Sequence, residues 1–498
     1  MKLFKKIAGF ILAFAMILAI AMPSVVMADE TYTLKLDNTV KGHTYDVYQI
    51  FTGKLSIKEN KKVLTDLVWG SGVKKNAYAE TAKGKAKTLS DEAKAKAFAK
   101  ELVDGNKLSD TKVTKNSSAV TTVIDGLAAG YYLVKDTDDY LAGKHDSYTA
   151  YILQVVGNAL VKVKSDVPTS EKKVKDINDS TDTTVNGNGW QDSADWDIGD
   201  VIPFKIEGTL PNNYTSYETY TLKFHDKAEK GLTFNKDSVK VYVNDKQITS
   251  GYRIEEKNED KCTFEVIFDE MKNIQEATNN SIVRVEYTST LNEDAVLGEL
   301  GNKNTMHMEF SNNPNNEQGG EFGKTPDDTV IVFTYKVDVN KVDEQSNKLT
   351  GAEFTLKKKI KGTPDTWKEI QKVSGTADDL FEFKGIDDGD YKLTETKAPD
   401  NYDKLSDPIY FTVTAGHVDG DTPYLDTFSG NITSGNAGTM KFTAHKDSGT
   451  LSTEVVNKPG SSLPETGGMG TTILYVAGAV MILAAGAFLV MQKKAEDK

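Results

Sequence analysis

Short segments in which apolar and polar residues alternate recur along most of the chain, and this alternation limits the fold more than any other feature. The segments 32–36, 201–207 and 282–288 are examples. A period of two places one set of side chains on a buried face and the other in solvent, as in a half-buried β-strand. Polar stretches rich in Asp, Asn, Gly and Thr separate the segments, as turns do. The pattern predicts an all-β protein built of tandem β-sandwich domains.

One stretch interrupts this pattern with the signals of a helix. Ser90 can act as the N-cap, Asp91 and Glu92 suit the positive N-terminal end of a helix, and Gly105 can end it. The residues 93–103 favour helix, and their apolar members would share one face. We therefore expect a helical insertion in the first domain, with this face packed on the core.

The two ends of the chain carry signals for export and membrane retention. Three lysines precede the apolar stretch 7–21, and small or tolerated residues lie before position 29, which predicts a signal peptide over 1–28. Near the other end, the apolar run 471–491 has no charged residue. At about 1.5 Å per residue it is long enough to cross the hydrocarbon core of a membrane. Two lysines just after it indicate that the tail stays in the cytoplasm.

A pentapeptide lies just before this apolar run, and its residues are Leu463, Pro464, Glu465, Thr466 and Gly467. The order of pentapeptide, apolar span and charged tail over 460–498 resembles the cell-wall sorting signal of Gram-positive surface proteins. The resemblance implies that a sortase cuts between Thr466 and Gly467 and joins the new carboxyl group to an amine. An ordinary single-pass tail anchor is the alternative.

Charge and cysteine content exclude several classes of function. The chain has 73 acidic and 60 basic residues and no basic stripe, so we expect no nucleic-acid partner. Cys262 is the only cysteine, so an internal disulfide cannot form and any covalent reinforcement must be of another kind. The six histidines are scattered without metal-ligand spacing, and no phosphate-binding loop or Ser/His/Asp motif is visible. We therefore expect no metal, no cofactor and no enzyme active site.

The exported part of the chain is long enough for about three domains. Changes in pattern place the first at 29–166, the second at 167–326 and the third at 327–459. A short linker, 460–462, leads to the sorting signal.

Four motifs mark the third domain: Val339-Asn340-Lys341-Val342-Asp343, Gly351-Ala352-Glu353-Phe354, Tyr391-Lys392-Leu393-Thr394-Glu395-Thr396-Lys397-Ala398-Pro399 and Val455-Val456-Asn457-Lys458-Pro459. In order and spacing they resemble the Cna B-type domain, an inverse immunoglobulin-like sandwich. The resemblance implies an intramolecular isopeptide bond between Lys341 and Asn457, promoted by Glu395.

The expected chemistry explains why these three residue types occur together. Burial would lower the pKa of Lys341, so that its neutral amine can attack. Burial would raise the pKa of Glu395, so that the protonated acid polarises the Asn457 carbonyl group. Ammonia would leave, and the bond would tie the first strand to the last. Ordinary polar residues at strand ends are the alternative interpretation.

The second domain has a lysine early, before Val174, and an asparagine after its last strand, in a pattern that resembles the middle domain of sortase-assembled pilins. The resemblance implies a second bond, between Lys172 and Asn312. Asp226 would promote it, and Glu286 is the alternative acid. Close competitors for the bonded pair are Lys173 and Asn313. The absence of any bond here is the other interpretation.

The first domain resembles pilin N-terminal domains in the segments 41–45 and 130–135. It shows no convincing set of lysine, acid and asparagine, so we expect no internal bond there.

The amine that receives Thr466 of the next subunit should lie near the junction of the first two domains. The family has a Tyr-Pro-Lys-Asn motif there, whereas this chain has Lys162-Val163-Lys164-Ser165 and keeps only the lysine. Spacing to Pro168 favours Lys164, with Lys162 as the alternative. A solvated lysine without a role is the other interpretation.

Together these features predict the major (backbone) subunit of a covalent Gram-positive pilus, secreted and anchored to the cell wall. The chain would be a substrate of sortase and not an enzyme. Expected partners are the sortase, identical pilin subunits, and peptidoglycan, reached directly or through a base pilin. A host ligand cannot be identified from the sequence. The alternative is a monomeric wall-anchored adhesin built from the same domains.

Overall fold

The computed structural model of the chain describes residues 31–58, 61–118, 120–137, 141, 143–149, 151–156, 158–163, 166–184, 188–256, 261–316, 319–374, 380–435, 440–460 and 469–496. The signal peptide lies outside these residues, and so does the segment 461–468, which contains the sorting pentapeptide. The described strands form six sheets, arranged as three successive two-sheet sandwiches. The predicted all-β architecture of tandem sandwiches is confirmed.

The first sandwich packs a three-stranded sheet, in the order β5-β1-β8, on a five-stranded one. Its strands are β1 (Tyr32–Asp37), β2 (Thr44–Lys58), β3 (Lys61–Trp69), β4 (Val113–Asn116), β5 (Thr121–Leu127), β6 (Gly130–Asp136), β7 (Ile152–Val156) and β8 (Ala159–Lys162). The core between the sheets is made by inward-facing apolar residues such as Leu34, Val47 and Val134. Strand alternation places these side chains inside, as the sequence predicts.

Two helices, α1 (Ala82–Thr88) and α2 (Glu92–Asp104), cover the five-stranded sheet. The predicted helical insertion is therefore confirmed as α2, and Phe98 and Leu102 on its apolar face are buried against the sheet. The N-cap is Asp91, whose side chain accepts a hydrogen bond from the Lys94 amide, and not the expected Ser90. A carboxylate at this position also interacts favourably with the helix dipole.

The middle sandwich packs the sheet β10-β9-β12-β18-β14-β15 on the sheet β11-β21-β19-β13-β17-β16, with β20 paired to β19. Its strands are β9 (Ser170–Lys175), β10 (Trp190–Gln191), β11 (Ser193–Asp195), β12 (Val201–Thr209), β13 (Leu222–Ala228), β14 (Leu232–Val243), β15 (Lys246–Ile248), β16 (Arg253–Glu255), β17 (Phe264–Phe268), β18 (Ile282–Leu291), β19 (Asn302–Ser311), β20 (Phe322–Lys324) and β21 (Asp328–Phe333).

Strand β21 lies in the middle sandwich, although the boundary drawn from the sequence at 326/327 assigns it to the third domain. It pairs antiparallel with β19 and parallel with β11. The sequence suggests one continuous strand from Val330 to Lys341, but the chain changes sandwich at the buried Thr334. Val332 points into the middle core and Phe333 into the next one. The alternating pattern continues through this crossing, so the sequence does not reveal it.

The third sandwich packs the sheet β25-β22-β30-β29 on the sheet β24-β23-β26-β27-β28. Its strands are β22 (Tyr335–Val342), β23 (Glu353–Ile360), β24 (Thr366–Ser374), β25 (Leu380–Ile386), β26 (Gly389–Lys397), β27 (Ile409–Val418), β28 (Tyr424–Gly435), β29 (Thr443–His445) and β30 (Thr450–Val456). The first and last of these long strands, β22 and β30, are parallel neighbours. Helix α3 (Met469–Glu496) follows, and its segment Thr472–Ala495 is long and apolar enough to cross a membrane.

Backbone hydrogen bonds join successive sandwiches. The Tyr148 amide of the first donates to the Asn312 carbonyl group of the middle one at 2.7 Å. At the next junction the Gly298 amide donates to the Thr334 carbonyl group at 3.0 Å. Gly298 has a φ of +78°, and a Cβ there would lie 2.4 Å from the Gly449 amide nitrogen. Only glycine permits this conformation and this approach.

Candidate functional sites

A buried lysine, glutamate and asparagine meet at one end of the third sandwich. Lys341 lies opposite Val455 in the parallel pair of β22 and β30, and Asn457 follows two residues later on the same inward face. Glu395 reaches them from β26 in the opposing sheet. The three side chains predicted to react are therefore brought together, with exposed fractions of 0%, 2% and 1% for Lys341, Glu395 and Asn457.

The carboxylate of Glu395 is the centre of this group. Asn457 Nδ2 donates to Glu395 Oε1 at 3.0 Å and to Oε2 at 3.2 Å. Lys341 Nζ lies 3.9 Å from Glu395 Oε1 and donates to the Val455 carbonyl oxygen at 2.7 Å. Turning the amide over about its Cβ–Cγ bond would bring its carbonyl oxygen against the carboxyl group. A protonated Glu395 could then donate to that oxygen.

Burial shifts the pKa values of both titrating groups in the direction that amide formation needs. It lowers the pKa of Lys341 to about 8, although the charge of Glu395 acts in the opposite direction. It also raises the pKa of Glu395, against the hydrogen bond from the Leu405 amide and the charge of Lys341. Desolvation thus favours a neutral amine beside a neutral acid, the form in which the amine is a nucleophile and the acid a proton donor.

The middle sandwich contains a second buried lysine beside an acid. Lys172 on β9 faces Asp226 on β13 across the core, and Lys172 Nζ donates to Asp226 Oδ2. Tyr287 on β18 completes the contact, because its hydroxyl accepts from Lys172 Nζ at 2.6 Å and donates to Asp226 Oδ2 at 2.7 Å. All three side chains are nearly inaccessible to solvent. Burial lowers the pKa of Lys172, against the opposing charge of Asp226.

Asn304, which the sequence motifs do not indicate, is the asparagine in contact with this group. Its Nδ2 donates to the Tyr287 hydroxyl at 3.0 Å, and its side chain is fully buried. Asn304 lies on β19, so a bond between it and Lys172 on β9 would join the two sheets. A sequence signal was available, since Asn304 alternates in phase with the inward-facing Met306 and Met308.

The expected partner Asn312 lies elsewhere, and we correct that assignment. In the pairing of β13 with β19, Met306 stands opposite Asp226 and Phe310 stands opposite Leu222. Asn312 lies six residues beyond Met306, which corresponds to roughly 20 Å from Asp226 along the strand at 3.3 Å per residue. Its Nδ2 donates to the Leu141 carbonyl oxygen of the first sandwich at 3.1 Å. Asn312 therefore contributes to the junction between the first two sandwiches and not to the Lys172 group.

The alternative residues predicted for this bond also have their side chains outside the group formed by Lys172 and Asp226. Glu286 points to the opposite face of β18 from Tyr287 and accepts a hydrogen bond from Arg284 Nε at 2.9 Å. Lys173 pairs with Asp192 on the outer face of its sheet, and Asn313 donates to Glu321. Of the two candidate acids, Asp226 is therefore the one that contacts Lys172.

The proposed polymerisation groups are only partly described. Lys162, the last residue of β8, has an exposed side chain. Lys164 lies outside the described residues, as does the pentapeptide Leu463, Pro464, Glu465, Thr466 and Gly467. The choice between the two lysines stays a prediction.

The first sandwich holds a buried histidine between two carboxylates. His43 Nδ1 lies 2.6 Å from Asp136 Oδ2, and Nε2 lies 3.1 Å from Asp146 Oδ2. Burial lowers the pKa of His43, but hydrogen bonds to Asp136 and Asp146 outweigh it and raise the pKa to about 9. The group is an ion pair at neutral pH and contains no lysine or asparagine among the contacts described.

This histidine should make the first sandwich less stable at high pH. Because its pKa is higher in the folded chain, its contribution is complete below about pH 6.5 and is lost as the pH rises through 9. At about 1.4 kcal/mol per pKa unit, the rise from 6.5 to about 9 corresponds to about 3.5 kcal/mol at most. Urea unfolding of His43→Gln should therefore lose more stability relative to the natural chain at pH 6 than at pH 10. His445→Gln, at an exposed site, is the control; equal pH dependence in all three proteins would contradict the prediction.

Comparisons with known proteins agree with this architecture. A family model described as a prealbumin-like fold domain matches residues 335–424, and a model of the LPXTG cell wall anchor motif matches residues 455–498. The trypsin-resistant surface T6 protein of Streptococcus pyogenes serotype M6 is 25% identical over 403 residues, which are 67% of this chain and 70% of that protein.

The solved structure of the T6 pilin supports the same fold. The T6 backbone pilin of S. pyogenes, described as a modular three-domain structure, superposes with a TM-score of 0.58 at 18% identity, over 88% of this chain and all of that one. The full-length major pilin SpaD of Corynebacterium diphtheriae gives 0.49 at 17% identity, over 87% of this chain and 98% of that one. The T6 protein is a backbone pilin and not an enzyme, which agrees with the prediction that the chain is not an enzyme. The chain is therefore similar in sequence to the streptococcal T6 protein, has the fold of the T6 backbone pilin, and carries an LPXTG anchor that makes it a secreted, wall-attached surface protein.

Proposed function

We propose that the chain is the backbone subunit of a covalent pilus, stabilised by an isopeptide bond in each of its last two sandwiches. The observation that carries the proposal is the pair of buried groups in which a lysine, an acid and an asparagine amide meet: Lys341, Glu395 and Asn457, and Lys172, Asp226 and Asn304. Burying an ionised lysine and an ionised acid costs desolvation free energy. Conversion to a neutral amide would remove both the charge and its desolvation cost.

The reaction in the third sandwich needs no outside reagent. The neutral Lys341 amine attacks Cγ of Asn457, and Glu395 donates a proton to the amide oxygen as the tetrahedral centre forms. The C–N bond to the original amide nitrogen then breaks, ammonia leaves with a proton from the former amine, and Glu395 regains its own proton. One amide replaces another, so the sandwich turns over once and is not an enzyme.

The position of the bonds fits a subunit under tension. Lys341 lies on β22, and Asn457 directly follows β30, the parallel neighbour of β22, just before the sorting signal. Force entering at Thr466 would reach Asn457 before β30 and pass through the bond to β22. The remainder of the third sandwich would then carry little of that force. The bond between Lys172 and Asn304 would tie the two middle sheets in the same way.

We further propose that a sortase joins Thr466 of one subunit to Lys164 of the next, with Lys162 as the alternative, and finally attaches the polymer to peptidoglycan directly or through a base pilin. The LPXTG motif and the pilin relatives support this assembly. We retain three domains for the exported chain and propose that the boundary between the last two lies at Thr334.

Polymerisation is tested in cells that express the natural chain together with its sortase. Denaturing gels of wall extracts should show a ladder of covalent multimers, because each joint is an amide bond. Changing both Lys162 and Lys164 to alanine should abolish the ladder and leave monomer attached to wall fragments. Thr466→Ala should abolish both products. If the natural chain itself gives only wall-bound monomer, the pilus proposal is wrong and the adhesin interpretation replaces it.

The bond in the third sandwich is tested separately by intact mass. The exported chain should be lighter than its sequence by two molecules of ammonia. Glu395→Gln should restore one of them, because the amide cannot deliver the proton that the acid supplies. Lys404→Gln, near the same end of the sandwich, should leave the deficit unchanged. A deficit of two in Glu395→Gln would refute the role of the acid.

A further inference from the structure

The outer face of the middle sandwich carries a row of metal-binding residue types that the pilus proposal does not use. In the register of β13 and β17, His225 stands directly opposite Glu265, and on its other side it stands opposite His307 of β19. Cys262 lies just before β17 and reaches back to the same histidine. Strand pairing thus assembles residues from three separate parts of the sequence, which explains why spacing along the chain did not reveal them.

The three potential ligand atoms form a compact triangle. His225 Nδ1 lies 2.9 Å from Glu265 Oε1 and 3.8 Å from Cys262 Sγ, and the ligand atoms of the three residues all lie within 4.8 Å of one another. His225 and Glu265 are 3% and 5% exposed, whereas Cys262 is partly open to solvent. The triangle is therefore held by two buried strand residues and is accessible from the cysteine side.

We propose that His225, Cys262 and Glu265 form a binding site for a borderline transition-metal dication of the zinc class. Zinc binds imidazole nitrogen, thiolate sulfur and carboxylate oxygen at about 2.0–2.3 Å in a tetrahedron, which separates the ligand atoms by roughly 3.3–3.6 Å. The observed separations of 2.9 and 3.8 Å lie on either side of this range, so small side-chain rotations suffice. Hard cations such as Ca²⁺ prefer all-oxygen sites and do not fit this set.

The neighbouring histidine supports the site without being a ligand. The rings of His307 and His225 stack with centroids 4.5 Å apart and planes inclined by 14°. A metal in the plane of the His225 ring is therefore out of reach of the nitrogen atoms in the parallel ring. The His307 ring supports His225 by packing against the face of its ring. Three protein ligands leave the fourth position for water.

The site would act independently of the proposed internal bond. Asp226, the next residue along β13, points into the core toward Lys172, whereas His225 points outward. A metal would clamp β17 to β13, and the Cys262 thiol would release its proton to solvent on binding. Because the isopeptide chemistry lies on the core face of β13 and the metal site on its outer face, a negative result for one proposal leaves the other unaffected.

Cobalt titration of the full chain, purified in detergent under reducing conditions, tests the proposal. Co²⁺ replaces Zn²⁺ in such sites, and its thiolate complexes absorb in the near ultraviolet. We expect a charge-transfer band that saturates at one metal per chain and disappears when Zn²⁺ is added, but not when Ca²⁺ is added. Cys262→Ser should abolish the band. His225→Gln should weaken Zn²⁺ binding on the order of 100-fold. Changing a residue that only hydrogen-bonds to a metal ligand already lowers metal affinity by up to about 100-fold, and His225 would bind the metal directly.

His445→Gln, which removes an exposed histidine of the third sandwich, is the matched control and should bind as the natural chain does. Glu265→Gln, which keeps the shape of the side chain, guards against a variant that fails to fold and should weaken binding while the melting temperature of the metal-free protein stays close to natural. The absence of the band from the natural chain, or unchanged Zn²⁺ affinity in Cys262→Ser, would overturn the proposal.

Discussion

Replacing Asn304 by alanine is expected to remove the cross-link from the middle sandwich. The exported chain should then lack one molecule of ammonia relative to its sequence, whereas the natural chain lacks two. The reason is geometric, since Asn304 is the amide that reaches Tyr287 and, through its hydroxyl, the pair of Lys172 and Asp226. Intact-mass measurement counts the bonds directly.

The same change should cause a large loss of stability. In the chain-entropy model, a covalent link that closes a loop of about 100 residues stabilises the folded state by about 4.7 kcal/mol. The loop from 172 to 304 is longer than this, so we expect a loss of about 5 kcal/mol in urea unfolding of the middle sandwich. Lys172 keeps its contact with Asp226 in the variant, so the lost cross-link should dominate the effect.

Asn312→Ala is the matched control, because the sequence pattern assigned the bond to that residue. It removes the hydrogen bond to Leu141, which is worth about 1 kcal/mol, and should leave the deficit at two molecules of ammonia. Reversed results, with one ammonia restored in Asn312→Ala and none in Asn304→Ala, would return the assignment to the sequence-based choice.

The two isopeptide groups show how far the sequence could be used. The third sandwich was predicted residue by residue because motifs flank each of its partners, and the structure brings Lys341, Glu395 and Asn457 together. In the middle sandwich the resemblance to pilin domains favoured Asn312, the asparagine after the last apolar strand. Alternation within β19 instead selects Asn304, which occupies an inward position among methionines. A polar residue in phase with a buried face was the stronger signal.

Other features depend on contacts that no local pattern records. The sequence pattern predicts Tyr287 only as an aromatic residue of the core. Its hydroxyl links Lys172, Asp226 and Asn304 because the two sheets of the sandwich face each other, which no local pattern records. The crossing at Thr334 is hidden because both sandwiches bury alternate residues of one continuous pattern. The sequence therefore predicts strands and their faces well, while pairing between distant strands has to come from the structure.

A buried lysine between the middle and third sandwiches is the other position at which a single change should have a large effect. Lys358 on β23 is fully buried and lies 3.1 Å from Asp197 Oδ2 and 3.3 Å from Asp179 Oδ2, both of the middle sandwich. It also contacts Asp387, in the turn between β25 and β26. Burial lowers the pKa of Lys358, but the three carboxylates outweigh it and raise the pKa, so the lysine stays charged.

Lys358→Met should destabilise the junction between these sandwiches by about 3–5 kcal/mol, because it leaves buried carboxylates without their cation. The loss should be smaller at pH 5 than at pH 8. Burial raises the pKa of the adjoining Asp200 to about 6 and that of Asp176 to about 7, the latter with help from Asp388. A carboxyl group whose pKa is raised by folding binds its proton more tightly in the folded chain than in the unfolded chain. Its contribution to the free energy of unfolding is therefore present at low pH and is lost as the pH rises through the raised pKa.

Thermal unfolding of the natural chain, Lys358→Met and Lys359→Met at both pH values separates this effect from a general loss of positive charge. Lys359 is the neighbour in sequence but lies near the surface, where its contacts with Asp365 and Asp390 are screened by water. It should change the melting temperature little at either pH. A loss in Lys358→Met that is equally large at pH 5 and pH 8 would mean that packing of the lysine stem, and not its charge among the carboxylates, holds the two sandwiches together. The expected difference between the two pH values would instead make this lysine the electrostatic link through which tension passes from the third sandwich to the middle one.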